Sequence, residues 1–101
     1  MVIYEEWLSK LVVATNEVFV EALVYDKVKR NYLKLHNRSK DNYLKVAFSK
    51  EDSENGIYVL VQPLGFWNFN DEIAIPRNSI FVAGEGSDVE VVIYCDQVGR
   101  D

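Results

Sequence analysis

The stretch Lys29–Phe48, KRNYLKLHNRSKDNYLKVAF, contains the tetrapeptide Asn-Tyr-Leu-Lys twice, beginning at Asn31 and at Asn42. In both halves apolar residues alternate with polar ones, at the two-residue period of a half-buried strand. Antiparallel pairing around the intervening Asn-Arg-Ser-Lys segment would place the two residues of each cross-strand pair on the same face. The apolar face would then consist of Leu33, Leu35, Leu44, Val46 and Phe48. The repeat therefore predicts a β-hairpin with one apolar and one polar face.

The polar face of this predicted hairpin combines tyrosines with bases, namely Arg30, Tyr32, Lys34, Tyr43 and Lys45. Aromatic rings stack on nucleobases and cations neutralise phosphate, so this set predicts an anion-binding or nucleotide-binding site. Tyrosine and lysine are also ordinary residues on the solvated side of a strand. The sequence carries none of the aromatic motifs of RNA-recognition sheets, and both interpretations stay open.

The N-terminal segment 3–14, IYEEWLSKLVVA, places apolar residues in pairs four positions apart. Glutamate, serine and lysine fill the gaps, which is the pattern of an amphipathic helix with one apolar stripe. Glu5 and Glu6 would occupy the first turn, where the helix dipole favours acids. We therefore expect a helix over about residues 3–15.

The rest of the chain predicts strands separated by turns. The expected strands cover about residues 18–25, 28–36, 43–49, 57–62, 79–83 and 89–95. Asn55-Gly56 is a strong hairpin-turn dipeptide, and the segment 84–88, GEGSD, predicts a turn in a last hairpin. The expected fold class is α+β: a single domain, 1–101, with the N-terminal helix packed on one antiparallel sheet of about five or six strands.

Charge is distributed unevenly along the 101 residues, whose net charge is −5. Residues 1–25 carry −3, residues 26–50 carry +6 and residues 51–101 carry −8. This asymmetry argues against nucleic-acid binding over the whole surface but is compatible with a local basic patch. The single cysteine, the acidic N-terminus and the lack of an apolar run of about 20 residues predict a cytoplasmic protein without a membrane span.

The segment 63–71, PLGFWNFND, is interpreted as a loop because of its proline, glycine, asparagines and aspartate. It carries three large rings close together, Phe66, Trp67 and Phe69. Exposed aromatic clusters of this kind are frequent anchors of protein interfaces. The same rings could instead fold back and fill one end of the core, so both interpretations remain open.

Catalytic and metal motifs are absent from the sequence. His36 is the only histidine and Cys95 the only cysteine, too few for a zinc site, and we expect them too far apart for a dyad. A calcium loop beginning at Glu51 fails because Gln62 stands where a bidentate glutamate is required. The acidic groups Asp71–Glu72 and Glu85–Asp88–Glu90 are expected to be solvated surface charge. The sequence therefore predicts no enzyme and no cofactor.

Three hypotheses follow. The first is a small acidic binding protein, an inhibitor, adaptor or regulator, that docks on a protein partner through Phe66, Trp67 and Phe69, steered to a basic surface by its acidic second half. The second is a nucleotide-binding or nucleic-acid-binding domain that uses the basic hairpin face. The third is self-association, driven by the opposite charges of the two segments.

Overall fold

The computed structural model describes residues 3–23, 33–69 and 79–100, which form two antiparallel four-stranded sheets and one short helix. The first sheet, sheet A, contains β1 (Ile3–Ala14), β3 (Leu33–Asn37), β6 (Phe66–Phe69) and β8 (Val89–Arg100). The second, sheet B, contains β2 (Val20–Leu23), β4 (Leu44–Ala47), β5 (Val59–Val61) and β7 (Ile80–Gly84). The helix α1 (Lys50–Glu54) lies between β4 and β5.

The strand order is β1-β8-β3-β6 in sheet A and β2-β7-β4-β5 in sheet B. The first strand pairs with the last, the second with the seventh, the third with the sixth and the fourth with the fifth. This nested pairing in two sheets of four is the arrangement of a jelly-roll β-sandwich. The two sheets share one core cluster, to which both contribute buried side chains such as Leu35 and Ile93 from sheet A and Val46 and Val82 from sheet B.

The predicted N-terminal helix is wrong, because residues 3–14 form β1 and pair with β8 over their whole length. Apolar residues lie on both sides of this strand: Ala14 is buried, whereas its near neighbours Leu11 and Val13 are 56% and 53% exposed. Two consecutive apolar positions repeated every four residues fit a helical stripe as well as a strand that is apolar on both faces. The long apolar partner β8 decides between them, since tertiary pairing overrides local propensity.

The single sheet of about five or six strands is also wrong, because the two halves of the Asn-Tyr-Leu-Lys repeat lie in different sheets. β3 pairs with β6 and β8, whereas β4 pairs with β5 and β7. The predicted alternation is nevertheless confirmed on each strand, since Leu33, Leu35, Leu44 and Val46 are fully buried. A strand with alternating apolar and polar residues has one face toward the core, whichever sheet it belongs to. Here β3 and β4 face the same core from opposite sides.

The connection between β3 and β4 is held by Asn37, the one buried polar residue of the described ranges. Its side-chain Nδ2 donates hydrogen bonds to the carbonyl oxygens of Asn42, Val61 and Gln62, at 2.9, 3.1 and 3.2 Å. Its Oδ1 accepts a hydrogen bond from the backbone N–H of Ser39 at 2.9 Å. The Asn37 amide therefore bonds both the β3–β4 connection and the end of β5. It gives hydrogen-bond donors to carbonyl oxygens that would otherwise be buried without a partner.

The segment 84–88, predicted as a hairpin turn, instead carries the chain from β7 in sheet B to β8 in sheet A. A Cβ at Gly84 would overlap the carbonyl oxygen of Ser87, so the crossing needs a glycine there. Gly86 adopts a φ of 84°, in the left-handed region that favours glycine. The predicted last hairpin is therefore wrong, although both of its strands exist.

The Asn-Gly dipeptide also has a different role from the one predicted. Ser49 caps α1, and its hydroxyl accepts the backbone N–H of Asp52 at 3.0 Å. Asn55 is the C-cap, and Gly56 follows with a φ of 70°, as expected for the residue after a helix end. Residues 49–56 thus form a capped single-turn helix between the paired strands β4 and β5 rather than a tight turn.

Candidate docking face

The outward side of sheet A is built from alternate residues of its four strands. On β8, Val89, Val91, Ile93 and Cys95 are buried, so the residues between them point away from the core. The strand register aligns these outward residues in rows across the sheet. One row is Leu11, Val92, His36 and Phe66, and the next is Ser9, Tyr94, Lys34 and Asn68. With Val13 and Glu90 of a third row, these ten residues are called here the outer face of sheet A.

One end of this face is aromatic and cationic. The rings of His36 and Phe66 stack with centroids 4.2 Å apart and planes 13° from parallel. The Nζ of Lys34 lies 4.1 Å from the centroid of the Phe66 ring, within cation–π distance. Phe66 is nonetheless 52% exposed. Its ring is therefore held in place by two neighbours of β3 while much of its surface remains open to a partner.

The other end of the face is aliphatic. Leu11 and Val13 of β1 are more than half exposed, and Val92 and Tyr94 of β8 are half-buried beside them. The row from Leu11 through Val92 and His36 to Phe66 thus crosses all four strands without an Asp, Glu, Lys or Arg residue. Adjacent exposed apolar residues of this kind mark interaction sites more often than scattered ones do.

Among the side chains that the structure describes, the charges near the outer face of sheet A are those of Lys34, Arg38 and Glu90. Arg38, which follows β3, is bonded through its backbone N–H to the carbonyl oxygen of Glu90, and its guanidinium lies 3.9 Å from the Glu90 carboxylate. Both side chains are about half exposed, so this pair contributes little stability. Lys34 thus places a positive charge beside Phe66.

On the outward side of sheet B the lysine at the centre is covered, whereas Leu60, its neighbour on β5, is 48% exposed. Lys45 projects from the middle strand β4, and its side chain is only 13% exposed. Its Nζ lies 2.6 Å from Oε2 of Glu17 and 5.1 Å from the centroid of the Tyr58 ring. Phe19 packs beside Tyr58, with ring centroids 6.0 Å apart. The segments before β2 and before β5 thus close over the lysine.

The Glu17–Lys45 ion pair shifts the pKa values of both side chains. The hydrogen bond from Lys45, followed by one from the backbone N–H of Gly86, lowers the pKa of Glu17 from its ordinary value of 4.5. The same bond to Glu17 raises the pKa of Lys45 above 10.5, against the opposing effect of burial. Both groups stay charged at neutral pH, and the charge of Lys45 is neutralised within the fold.

The predicted aromatic cluster is divided by the strand alternation. Residues 66–69 form β6 rather than a loop, and the turn lies before them, where Gly65 donates its N–H to the carbonyl oxygen of Gln62. Phe66 belongs to the outer face, whereas Trp67 packs against the core, its ring 6.1 Å from that of Phe48. Phe69 pairs with Leu33 in the register. Phe66 is therefore exposed and Trp67 packs against the core, and the role of Phe66 as an interface anchor stays a prediction.

The predicted cationic set is not brought together. Lys34 and Lys45 lie on the outward sides of opposite sheets, and Tyr43 is 45% exposed in the β3–β4 connection. Arg30 and Tyr32 lie outside the described residues. The hairpin that was expected to assemble these residues on one face does not form, because β3 and β4 belong to different sheets.

The residues considered for chemistry also lie apart. His36 is on the outer face of sheet A, and Cys95 is buried on its inner side. Asp88 accepts the backbone N–H of Asn16 at 2.8 Å, and Glu90 pairs with Arg38. Across residues 3–23, 33–69 and 79–100, no three metal-ligating side chains cluster. Asp71 and Glu72 lie outside these ranges.

Eight of the ten members of the outer face, among them Leu11, Val13, His36, Val92 and Tyr94, were not predicted as site residues. Leu11 was assigned to the apolar stripe of a helix, which concealed its exposure. Val92 and Tyr94 carried a signal in the sequence, because VEVVIYC is apolar at consecutive positions while its alternate residues already supply a core face. A strand that is apolar on both faces indicates that something covers the second face.

The chain matches no protein-family model and no curated protein. Within the described ranges, no helix has the length and apolar character needed to cross a bilayer.

Proposed function

We propose that this chain is a non-enzymatic binding protein that docks on a protein partner through the outer face of sheet A. The observation that carries the proposal is the row from Leu11 to Phe66, which contains no Asp, Glu, Lys or Arg and whose two end residues are more than half exposed, while Lys45 on the other side of the sandwich is covered. A jelly roll alone indicates no function, so the proposal rests on this surface.

The dimensions of the face suit the centre of an interface. Four strands about 4.8 Å apart and three rows about 6.8 Å apart span roughly 15 by 14 Å between outermost Cα atoms. That is smaller than the roughly 800 Å² which each partner contributes to a standard interface. It matches the compact central cluster that carries most of the binding energy, with polar surroundings that exclude water.

The charges define the partner more closely. Lys34 places a positive charge next to the exposed ring of Phe66, while Arg38 and Glu90 compensate each other. The complementary surface is therefore apolar, with a carboxylate placed to meet Lys34. The sequence predicts a basic partner surface because the second half of the chain is acidic. The positive charge of Lys34 instead favours an acidic group on the partner. The described acids of that half lie mainly on α1 and in the β7–β8 connection, away from the row.

Nucleic acid is the less favoured ligand. A phosphate-binding surface needs several cations on one side, and Lys34 and Lys45 lie on opposite sides of the sandwich. Lys45 is in addition neutralised by Glu17.

The test compares what immobilised variants retain from a cell lysate. Phe66→Ala and Lys34→Ala should each lose, by about tenfold or more, a protein that the unaltered chain retains. Ile57→Ala is the matched control, since Ile57 is 58% exposed but precedes β5 in sheet B. The proposal is wrong if Phe66→Ala retains the same proteins as Ile57→Ala. Loss of binding on adding an oligonucleotide would instead favour the nucleic-acid hypothesis.

A further inference from the structure

Two residues other than glycine have a positive φ within the described ranges, Glu17 at 59° and Leu64 at 60°. Side chains are strained in this region, and bulky ones most of all. Glu17 has a role there within the fold, because its carboxylate accepts hydrogen bonds from Lys45 and from the backbone N–H of Gly86. Leu64 has an apolar side chain that is 53% exposed. The fold therefore accounts for the side chain at position 17 but not for a leucine at position 64.

The positive φ of Leu64 is required by the turn before β6. Gly65 donates its N–H to the carbonyl oxygen of Gln62 at 2.9 Å, and Pro63 occupies the second position, which is the pattern of a type II turn. The third position of such a turn needs a positive φ and is normally glycine. The backbone N–H of Leu64 donates to the carbonyl oxygen of Ser39 at 2.9 Å. Any residue except proline can donate that bond, so the turn needs the backbone of residue 64 and not its side chain.

Leu64 adjoins the aromatic end of the outer face of sheet A. A single residue, Gly65, separates it from Phe66, so the Cα atoms of the two residues are at most about 7 Å apart. Gly65 is buried, whereas Leu64 and Phe66 are both more than half exposed. The turn thus places a strained, exposed aliphatic side chain beside the exposed ring of Phe66.

We propose that Leu64 contacts the partner of the outer face, and that Leu64 and Phe66 together enter an apolar groove on that partner. This role rests on the proposed function, because it concerns the same surface. Burial of Leu64 in the complex offsets the strain that the free chain carries at this position.

The shape and charge of this end of the surface define the groove. A turn projects from the surface, so the two apolar side chains fit a concave site, as anchor residues do. Lys34, whose Nζ lies 4.1 Å from the centroid of the Phe66 ring, favours a carboxylate at the rim of the groove. A groove of this kind requires a folded partner rather than a short peptide.

The strain is tested by two substitutions that both remove the leucine side chain. Leu64→Gly relieves the strain, whereas Leu64→Ala keeps a Cβ at the same positive φ. The equilibrium constant for folding should therefore be about fivefold larger for Leu64→Gly than for Leu64→Ala, and Leu64→Gly should be at least as stable as the unaltered chain. Urea unfolding measures both comparisons. A Leu64→Gly variant that is less stable than the unaltered chain would overturn the inference, because the leucine would then stabilise the fold.

Binding should change in the opposite direction to stability. Leu64→Gly and Leu64→Ala should each lose, by about tenfold, the protein that the immobilised unaltered chain retains from a native lysate. Leu60→Ala is the matched control, since Leu60 is a leucine that is 48% exposed on the outward side of sheet B, opposite Lys45. A tryptic digest of the same lysate should yield no retained peptide, because the digest contains no folded groove.

The outcomes separate this inference from the proposed function. If Phe66→Ala loses the retained protein and both Leu64 variants keep it, the role of Leu64 is wrong and the proposed function stands. If Phe66→Ala keeps the protein as well, or the unaltered chain retains none, both are wrong. Retention of a peptide from the digest would assign the surface to a short segment and would overturn the groove.

Discussion

The imidazole of His36 lies almost parallel to the ring of Phe66, with 4.2 Å between the centroids. The two residues are directly opposed on β3 and β6, so the backbone register brings the rings together. Because His36 and Lys34 already restrict the Phe66 ring, binding a partner there orders little additional structure. A pre-ordered aromatic surface of this kind is typical of an anchor residue at an interface.

Substitutions at Phe66 and Trp67 should separate binding from stability. Phe66→Ala should lower the free energy of unfolding by only about 1 kcal/mol, because the ring is half exposed and loses mainly its stacking and cation–π contacts. Trp67→Ala should cost about 3 kcal/mol, because that ring packs against the core beside Phe48. Urea unfolding of the two variants checks both values. Equal losses would mean that Phe66 is also a core residue.

The strand patterns were largely readable from the sequence, whereas the sheet in which each strand lies was not. Leu33 and Leu35 alternate with Lys34 and His36, and the structure buries the former pair and leaves the latter on the outward side. Alternation states only that a strand has an inner and an outer face. Both sheets of a sandwich share one core, so β3 and β4 show the same pattern in different sheets.

β1 was misread for a related reason. The sequence Leu11-Val12-Val13 is apolar throughout, so its period is ambiguous between helix and strand. In the structure Val12 faces the core side, and its two neighbours face outward on the candidate docking surface. The apolar residues on the outward side of β1 made its period ambiguous in the sequence. The same residues contribute to the candidate docking surface. Only the pairing with β8, distant in sequence, resolves it.

Asn37 should be required for stability. Asn37→Ala removes four hydrogen bonds and leaves the carbonyl oxygens of Val61 and Gln62 without this donor, at a cost of about 3 kcal/mol. Asn37→Asp keeps the acceptor for Ser39 but places a carboxylate against three carbonyl oxygens. This variant should be at least as unstable at neutral pH and should partly recover in acid, when the protonated carboxyl can donate. Thermal melts at two pH values test this, and wild-type stability of Asn37→Asp at neutral pH would contradict it.

The Glu17–Lys45 pair should make part of the stability depend on pH. Because the folded-state pKa of Glu17 is lowered, its contribution is complete above the unfolded value near 4.5 and is lost as the pH falls through the lower folded value. Because the pKa of Lys45 is raised, the contribution is also lost as the pH rises through a folded value above 10.5.

The melting temperatures of the unaltered chain and of Glu17→Gln, compared from about pH 7 to about pH 3, measure the acidic part of this effect. The difference between them should be largest near neutrality and should shrink in acid. Glu21→Gln, at an exposed position of β2, serves as the control and should show no such trend. A difference between the unaltered chain and Glu17→Gln that stays constant over this range would mean that the pair contributes nothing to folding.

Two glycines should respond differently to the same substitution, because they are required for different reasons. Gly84 ends β7 where the chain crosses between the sheets; its N–H donates to the carbonyl oxygen of Thr15 and its own carbonyl accepts from Glu17. An added Cβ would overlap the carbonyl oxygen of Ser87, a backbone atom that a rotamer change cannot move. Gly84→Ala should therefore cost more than about 3 kcal/mol or prevent folding.

Gly56 has open space around it and only a positive φ, so Gly56→Ala should cost about 1 kcal/mol. Gly56→Asn should cost less than Gly56→Ala, because asparagine tolerates the left-handed region better than alanine does. Chemical unfolding of the three variants gives the comparison, and a Gly84→Ala variant as stable as Gly56→Ala would show that the crossing segment can move aside.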